Sequence, residues 1–221
     1  MKAGQISIVV VDDHRVVADA LSIVMRGEPD LQIVGTAGTI AACLSLVKQI
    51  CPDVLLLDVS LPDGNGLTLI PVLKRWCPQT HVLVLTSLED EVTLLRAVDA
   101  GTAGFLAKSA PLAQVLAGIR QAAEGEIVMP PSLLLGLLSR VVLLRTANTN
   151  APADESLTQR EKEILRHLAQ GTSVINIAAE LNIAPNTVRT HIRNLLGKLK
   201  VHTRLEAVVL ALRNGNIDNP I

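Results

Sequence analysis

The chain has 221 residues, 49% of them hydrophobic and 1% aromatic, with a formal net charge of −1. That is room for two domains of ordinary size whose cores must be built from Leu, Val, Ile and Ala. No apolar run reaches the roughly 18 residues of a membrane-spanning helix, and the amino terminus lacks a signal-peptide core, so a cytoplasmic protein without a membrane partner is expected. Charge is unevenly spread: residues 1–140 hold 10 Lys and Arg against 14 Asp and Glu, and residues 141–221 hold 10 against 7. The C-terminal part is therefore the half suited to approach nucleic acid. Cys43, Cys51 and Cys77 are odd in number and show neither CxxC nor Cys/His ligand spacing. Buried thiols are expected of them, not a disulfide or a zinc site.

In chain order, residues 6–11 form an apolar strand pattern that stops at Asp12-Asp13, and a helical pattern over 16–26 follows. Adjacent carboxylates at a strand's carboxyl end repel each other, which suggests a cation between them. A second strand is read over 31–37, a helix over 40–50, and a third strand over 54–57, an aliphatic run of the kind buried on both faces. It ends in Asp58. Pro62, Asp63, Gly64, Asn65 and Gly66 then dictate a tight loop before a helix over 67–76. A fourth strand over 81–85 stops at Thr86-Ser87, a helix over 89–100 ends at Gly101, and a fifth short strand over 104–107 delivers Lys108. Pro111 suits the first turn of a helix reaching about residue 124.

Taken singly, Asp12, Asp13, Asp58, Thr86 and Lys108 are ordinary solvated loop residues. Each, however, falls just past the end of a strand in a βα alternation, where an open parallel sheet has its crevice. Three acids, a hydroxyl and an amine on one rim suit a hard cation and phosphoryl chemistry, with Asp58 as a possible nucleophile.

This constellation resembles the receiver domain of two-component response regulators over about residues 5–125. The resemblance implies a flavodoxin-like α/β fold, a five-stranded parallel sheet of order 2-1-3-4-5. It implies that Asp58 accepts a phosphoryl group from a sensor histidine kinase. Mg²⁺ would be held by Asp13, Asp58 and the main chain of Ser60, with Asp12 acting through water. Thr86 and Lys108 would contact the phosphoryl oxygens, and Thr86 and Phe105, three residues before Lys108, would be the switch residues. Ser109 follows Lys108 where many receivers carry Pro. Haloacid-dehalogenase-type phosphatases also use Asp, Thr and Lys with Mg²⁺, but they need an acid two residues past the nucleophile, where this chain has Ser60. A receiver that serves only as a dimerisation or small-ligand module is the other alternative, and such modules often lose the acidic pocket kept here.

Residues 127–145 contain Pro130-Pro131 and a very apolar LLLGLLSRVVLL, read as a packed or dimer-forming helix, and residues 146–156 read as a linker. TQRE at 158–161 has capping-box spacing and opens a helix to about 169. A short helix over 174–181, a turn at 182–184 and a helix from Pro185 to about 199 form a helix-turn-helix. Along the last of these, Val188, Ile192, Leu195, Leu196 and Leu199 share one side, while Arg189, Thr190, Arg193 and Asn194 share an acid-free face suited to DNA. The segment 155–215 resembles the LuxR-type helix-turn-helix, and the whole chain resembles the NarL/FixJ family. That implies a transcription regulator, not an enzyme, with Arg189, Thr190 and Arg193 reading bases of double-stranded DNA and Lys198 near the backbone. Two departures stand out: TSVIN precedes the scaffold helix where relatives usually carry polar residues, and Ala184 replaces the usual N-cap Ser. The expected organisation is a receiver at 1–126, a helical segment and linker at 127–156, and the DNA-binding domain at 157–217. A homodimer is expected on phosphorylation or DNA binding, with the apolar helix over 205–212 as a contact between copies.

Overall fold

The computed structural model describes residues 4–87, 91–130, 133–134, 136–137, 157–214 and 217, with the backbone alone described at Thr86 and Glu91. The chain divides into two compact units between Val128 and Met129. The apolar segment expected over 127–145 and the linker lie largely outside the described residues.

In the first unit the aliphatic runs pair as parallel strands: β1 (Ile6–Val11), β2 (Leu31–Ala37), β3 (Val54–Leu57), β6 (His81–Thr86) and β7 (Gly104–Ala107). Their order is β2-β1-β3-β6-β7, which among the five main strands is the expected 2-1-3-4-5. β3 is central and all four of its residues are buried, which is why it reads as an unbroken apolar run. Strand side chains alternate between faces. Ile8, Val10, Leu56, Leu83, Leu85 and Leu106 join Leu21 and Met25 of α1 (Arg15–Met25) and Val115 and Ile119 of α5 (Leu112–Ala123) in one core. The alternate residues Val9, Leu55, Leu57, Val82 and Val84 are equally buried. Helices α2 (Ile40–Val47), α3 (Leu69–Trp76) and α4 (Glu91–Ala100) complete the alternation.

The loop after β3 is more ordered than the sequence suggested. Ser60–Leu61 (β4) and Gly64–Asn65 (β5) form a minimal antiparallel hairpin, and a 3-10 turn over Gly66–Thr68 leads into α3. Gly66 is required here, because a Cβ at that position would collide with the carbonyl of Asp58.

The cysteine expectation is corrected. Cys51 and Cys77 form a disulfide across 26 residues, with Cα atoms 5.4 Å apart. Their spacing carried no signal because the contact is tertiary: Cys77 closes α3, and the fold returns it beside the segment that leads into β3. Cys43 remains the buried thiol that was expected, and burial pushes its pKa up to about 12.

The second unit is helical: α6 (Gln159–Ala169), α7 (Val174–Glu180), α8 (Pro185–Leu199) and α9 (Arg204–Asn214). The TQRE signal is a complete capping box, with the Thr158 hydroxyl and the Glu161 carboxylate each satisfying the other's main-chain amide. Ala184 caps α8 without a side-chain hydrogen bond, and Pro185 takes the first helical position. α9 packs against α6 and α8. Leu205, Ala207, Val208, Val209, Ala211 and Leu212 are buried, whereas Leu210 is half-buried and is the apolar side chain of this run that reaches the surface.

Candidate functional site

Carboxylates converge at one rim because adjacent strands end level. β1 and β3 stay in register to Val11↔Leu57, so Asp12 and Asp58 leave the sheet side by side. The Asp58 amide donates to the Val11 carbonyl at 2.8 Å, and the Asp12 amide donates to that of Ala37 at 3.0 Å. Both side chains are buried, with Asp12 6% and Asp58 4% exposed. On the neighbouring strands the register runs to Thr86↔Ala107, which places the end of β6 beside Lys108. Lys108 Nζ lies 2.7 Å from Oδ2 of Asp12 and 2.7 Å from Oδ2 of Asp58. It donates a hydrogen bond to Asp58 and makes an equally short ion pair with Asp12. Burial works to strip the ammonium of its charge, but the two carboxylates outweigh it and hold the Lys108 pKa above its ordinary value.

Asp13 is exposed beside this pair. His14, which sequence reasoning passed over, completes the group. As the residue before α1, it donates its amide to Asp12 Oδ1 at 2.8 Å, and its Nδ1 stands 2.8 Å from Asp13 Oδ1 and 3.2 Å from Asp12 Oδ1. One ligand atom each from Asp12, Asp13, His14 and Asp58 lie within 4.8 Å of one another. The available signal was its place directly after an acid pair at a helix start. A donor set dominated by carboxylate oxygen fits a hard divalent cation such as Mg²⁺.

The other expected residues take the following places. The Ser60 amide donates to Asp58 Oδ1 at 3.3 Å, which keeps its main chain against the rim. Thr86 ends β6. Phe105 is 2% exposed within β7.

The second surface is α8. Val188 and Leu195 are fully buried and Ile192 and Leu199 nearly so, while Leu196 is half-buried. Arg189, Thr190, Arg193 and Asn194 are exposed together on the opposite side. Asn186 organises the start of this face: its Oδ1 accepts from Arg189 Nη1 at 3.1 Å, and its carbonyl accepts from Thr190 Oγ1 at 3.0 Å. Lys198 is not simply free for a phosphate. Its Nζ pairs with the buried carboxylate of Glu161 at 2.8 Å, tying the end of α8 to the cap of α6. In the TSVIN segment Val174 is buried, whereas Ile175 is 68% exposed.

Comparison with known proteins places both units. Residues 8–120 match the model of the response regulator receiver domain, and residues 155–211 match that of bacterial regulatory proteins of the luxR family. The chain is 34% identical to the transcriptional regulatory protein LiaR of Bacillus subtilis, over 95% of this chain and 98% of LiaR. It is 31% identical to the response regulator protein VraR of Staphylococcus aureus, over 96% of this chain and 99% of VraR. Among solved structures, the signal receiver domain of a NarL response regulator from Mycobacterium tuberculosis matches with a TM-score of 0.53 at 27% identity, covering 55% of this chain and 98% of that one. RcsB from Salmonella enterica serovar Typhimurium, bound to promoter rprA in the presence of the phosphomimetic BeF3-, matches with a TM-score of 0.50 at 26% identity, covering 94% of this chain and 98% of that one. A receiver followed by a LuxR-type helix-turn-helix, matched along nearly its whole length by such regulators, belongs to the NarL/FixJ family of two-component response regulators, a family of transcription regulators and not of enzymes.

Proposed function

We propose that Asp58 accepts a phosphoryl group from a sensor histidine kinase, with Mg²⁺ bound beside it, and that this modification tunes how the chain engages promoter DNA in the cytoplasm. The observation that carries the reading is the contact of one protonated lysine with two buried carboxylates at 2.7 Å each, at the carboxyl edge of a parallel sheet. A carboxylate oxygen of Asp58 attacks phosphorus. The O–P bond forms as the P–N bond to the donor imidazole breaks, and the imidazole leaves with the electron pair and is protonated from water. When bound, Mg²⁺ offsets the charge of the incoming oxygens. Asp13, Asp58 and the Ser60 main chain would hold it, with Asp12 acting through water. Lys108 remains protonated and turns from the carboxylates to a phosphoryl oxygen, and Thr86 is the second contact drawn toward it.

Phosphorylation replaces the Asp58 carboxylate by an acyl phosphate of about −2 charge, a net gain of about one negative charge together with three strong acceptor oxygens. Satisfying them draws in the ends of β6 and β7, and with them the neighbourhood of Phe105. On the C-terminal unit, Arg189, Thr190 and Arg193 read base edges, and Lys198 meets the DNA backbone only while sharing its ammonium with Glu161. Two copies would engage half-sites about one helical turn apart. The likeness to RcsB bound to promoter rprA in the presence of the phosphomimetic BeF3- supports the pairing of an activated receiver with promoter binding.

The test is intact-mass measurement after incubation with acetyl phosphate and Mg²⁺. The wild-type chain gains one phosphoryl group, and Asp58→Asn, which keeps the shape and removes the nucleophile, gains none. A phosphoryl group on the Asn variant would place the acceptor elsewhere.

A further inference from the structure

The loop between β3 and α3 is anchored at its tip. Asp63 lies between the two strands of the β4–β5 hairpin, and its carboxylate reaches across to another element: Oδ1 accepts from the Ile40 amide at 2.9 Å and Oδ2 accepts from the Ala41 amide at 3.0 Å. These are first-turn amides of α2, which have no partner within their own helix. The next amide, of Ala42, is satisfied locally by Thr39 Oγ1 at 3.1 Å. The helix therefore has a cap of its own, and the hairpin tip adds a second, bidentate one from more than twenty residues away.

From Asp63 the path back to the phosphoacceptor is short and braced. The hairpin pairs Leu61 with Gly64 and Ser60 with Asn65. The Gly66 amide donates to the Val59 carbonyl at 2.8 Å, and Gly66 packs on the Asp58 carbonyl too closely to admit a Cβ. The Ser60 amide, finally, donates to Asp58 Oδ1. A hairpin of two-residue strands has little stability of its own, so its position is set by what grips its tip.

We propose that Asp63 is a positioning residue for phosphorylation: by pinning the hairpin tip to the first turn of α2, it holds the main chain at Ser60 in place to complete the Mg²⁺ site beside Asp58. This rests on the proposed Mg²⁺-dependent phosphorylation and adds to it a residue that touches neither metal nor phosphoryl group. The two amides hold the Asp63 carboxyl below its ordinary pKa, with Ile40 contributing most, so the tether is charged under ordinary conditions.

The experiment compares Asp63→Ala and Asp63→Asn with Thr39→Ala in the full-length chain. Thr39→Ala weakens the same helix turn without touching the hairpin. Calorimetric titration with Mg²⁺ alone and the rate of labelling by acetyl phosphate are the readouts, with circular dichroism and thermal midpoint as checks on folding. Asp63→Ala is expected to weaken Mg²⁺ binding about fivefold, the worth of a lost cap transmitted to the site. Its labelling should slow at low Mg²⁺ and recover at saturating Mg²⁺. Asp63→Asn, which keeps the size and one acceptor oxygen, should fall between, and Thr39→Ala should lower the midpoint while leaving Mg²⁺ affinity unchanged. Wild-type Mg²⁺ affinity in Asp63→Ala and Asp63→Asn overturns the proposal, as does an equal loss in Thr39→Ala, which would reduce Asp63 to a helix cap. A wild-type chain that neither binds Mg²⁺ nor takes up the phosphoryl group overturns the reading of the pocket and this proposal with it.

Discussion

Lys108 stands between two carboxylates that would otherwise repel each other in a buried site. Removing one partner from such a group leaves charge uncompensated, at a cost of order 3 kcal/mol. Lys108→Met is therefore expected to lower the thermal midpoint in the presence of a chelator, and added Mg²⁺ should restore more of it than it adds to wild type, because the cation replaces the lost ammonium. A midpoint indifferent to Mg²⁺ in that variant would separate Asp12 and Asp58 from any metal site. The folded pKa of Lys108 lies above its ordinary 10.5, so its contribution is complete below that value and is lost only as pH rises through the higher one. Residues of this kind were legible because strand ends are: a run of apolar residues that stops at a polar one marks the rim whether or not the sheet has been seen. His14 and Asp63 were not legible in the same way. Their roles depend on where a side chain points across a loop, and no spacing along the chain encodes that.

At the level of elements, α6 shows where a sequence signal stops. The capping box of Thr158 and Glu161 could be read from four residues, but not that the same carboxylate also receives Lys198, thirty-seven residues on. Burial favours the neutral form of Glu161, and Lys198 together with the Thr158 amide and hydroxyl overcomes it, leaving the pKa below 4.5. A depressed carboxylate pKa stabilises the fold above the unfolded value and loses that effect as pH falls through the folded one. Glu161→Gln keeps an acceptor for the Thr158 amide but removes the charge paired with Lys198, and is thus expected to cost about 1 kcal/mol near neutral pH and to make acid unfolding of the helical unit less steep below pH 4.5. Urea unfolding followed by circular dichroism across that range measures both. An unchanged acid profile would show that another carboxylate governs it. The hairpin after β3 escaped sequence reading because strands of two residues have no period to detect. The burial of six of the seven apolar residues over 205–212 escaped it because an apolar helix face looks the same whether it meets its own domain or a second copy.

For the whole molecule, the division of labour follows the division of charge, with acids in excess before residue 141 and bases after it. If phosphorylation acts by pairing copies, then dimer fraction and affinity for a repeated DNA site must rise together, because one helix-turn-helix engages one half-site. Sedimentation and gel-shift measurements on phosphorylated wild-type and Asp58→Asn protein are expected to show both increases in the former alone. Equal dimer fractions and equal affinities would leave the family and the fold standing and remove the coupling. The exit of the chain from its first unit bears on how such coupling is wired. Val128, the last residue of that unit, lies parallel to Gly104, and its carbonyl accepts the Phe105 amide at 2.6 Å. Gly104 has no side chain because a Cβ there would strike that same carbonyl. β7 is therefore at once the strand that ends in Lys108 and the strand to which the outgoing backbone is clipped. In mechanical terms it is a shaft with a strap along its flank: the Phe105 amide donates to the Val128 carbonyl at 2.6 Å and the Val128 amide donates to the Ala103 carbonyl at 3.3 Å, so a shift of β7 along its axis is expected to be felt first at Val128.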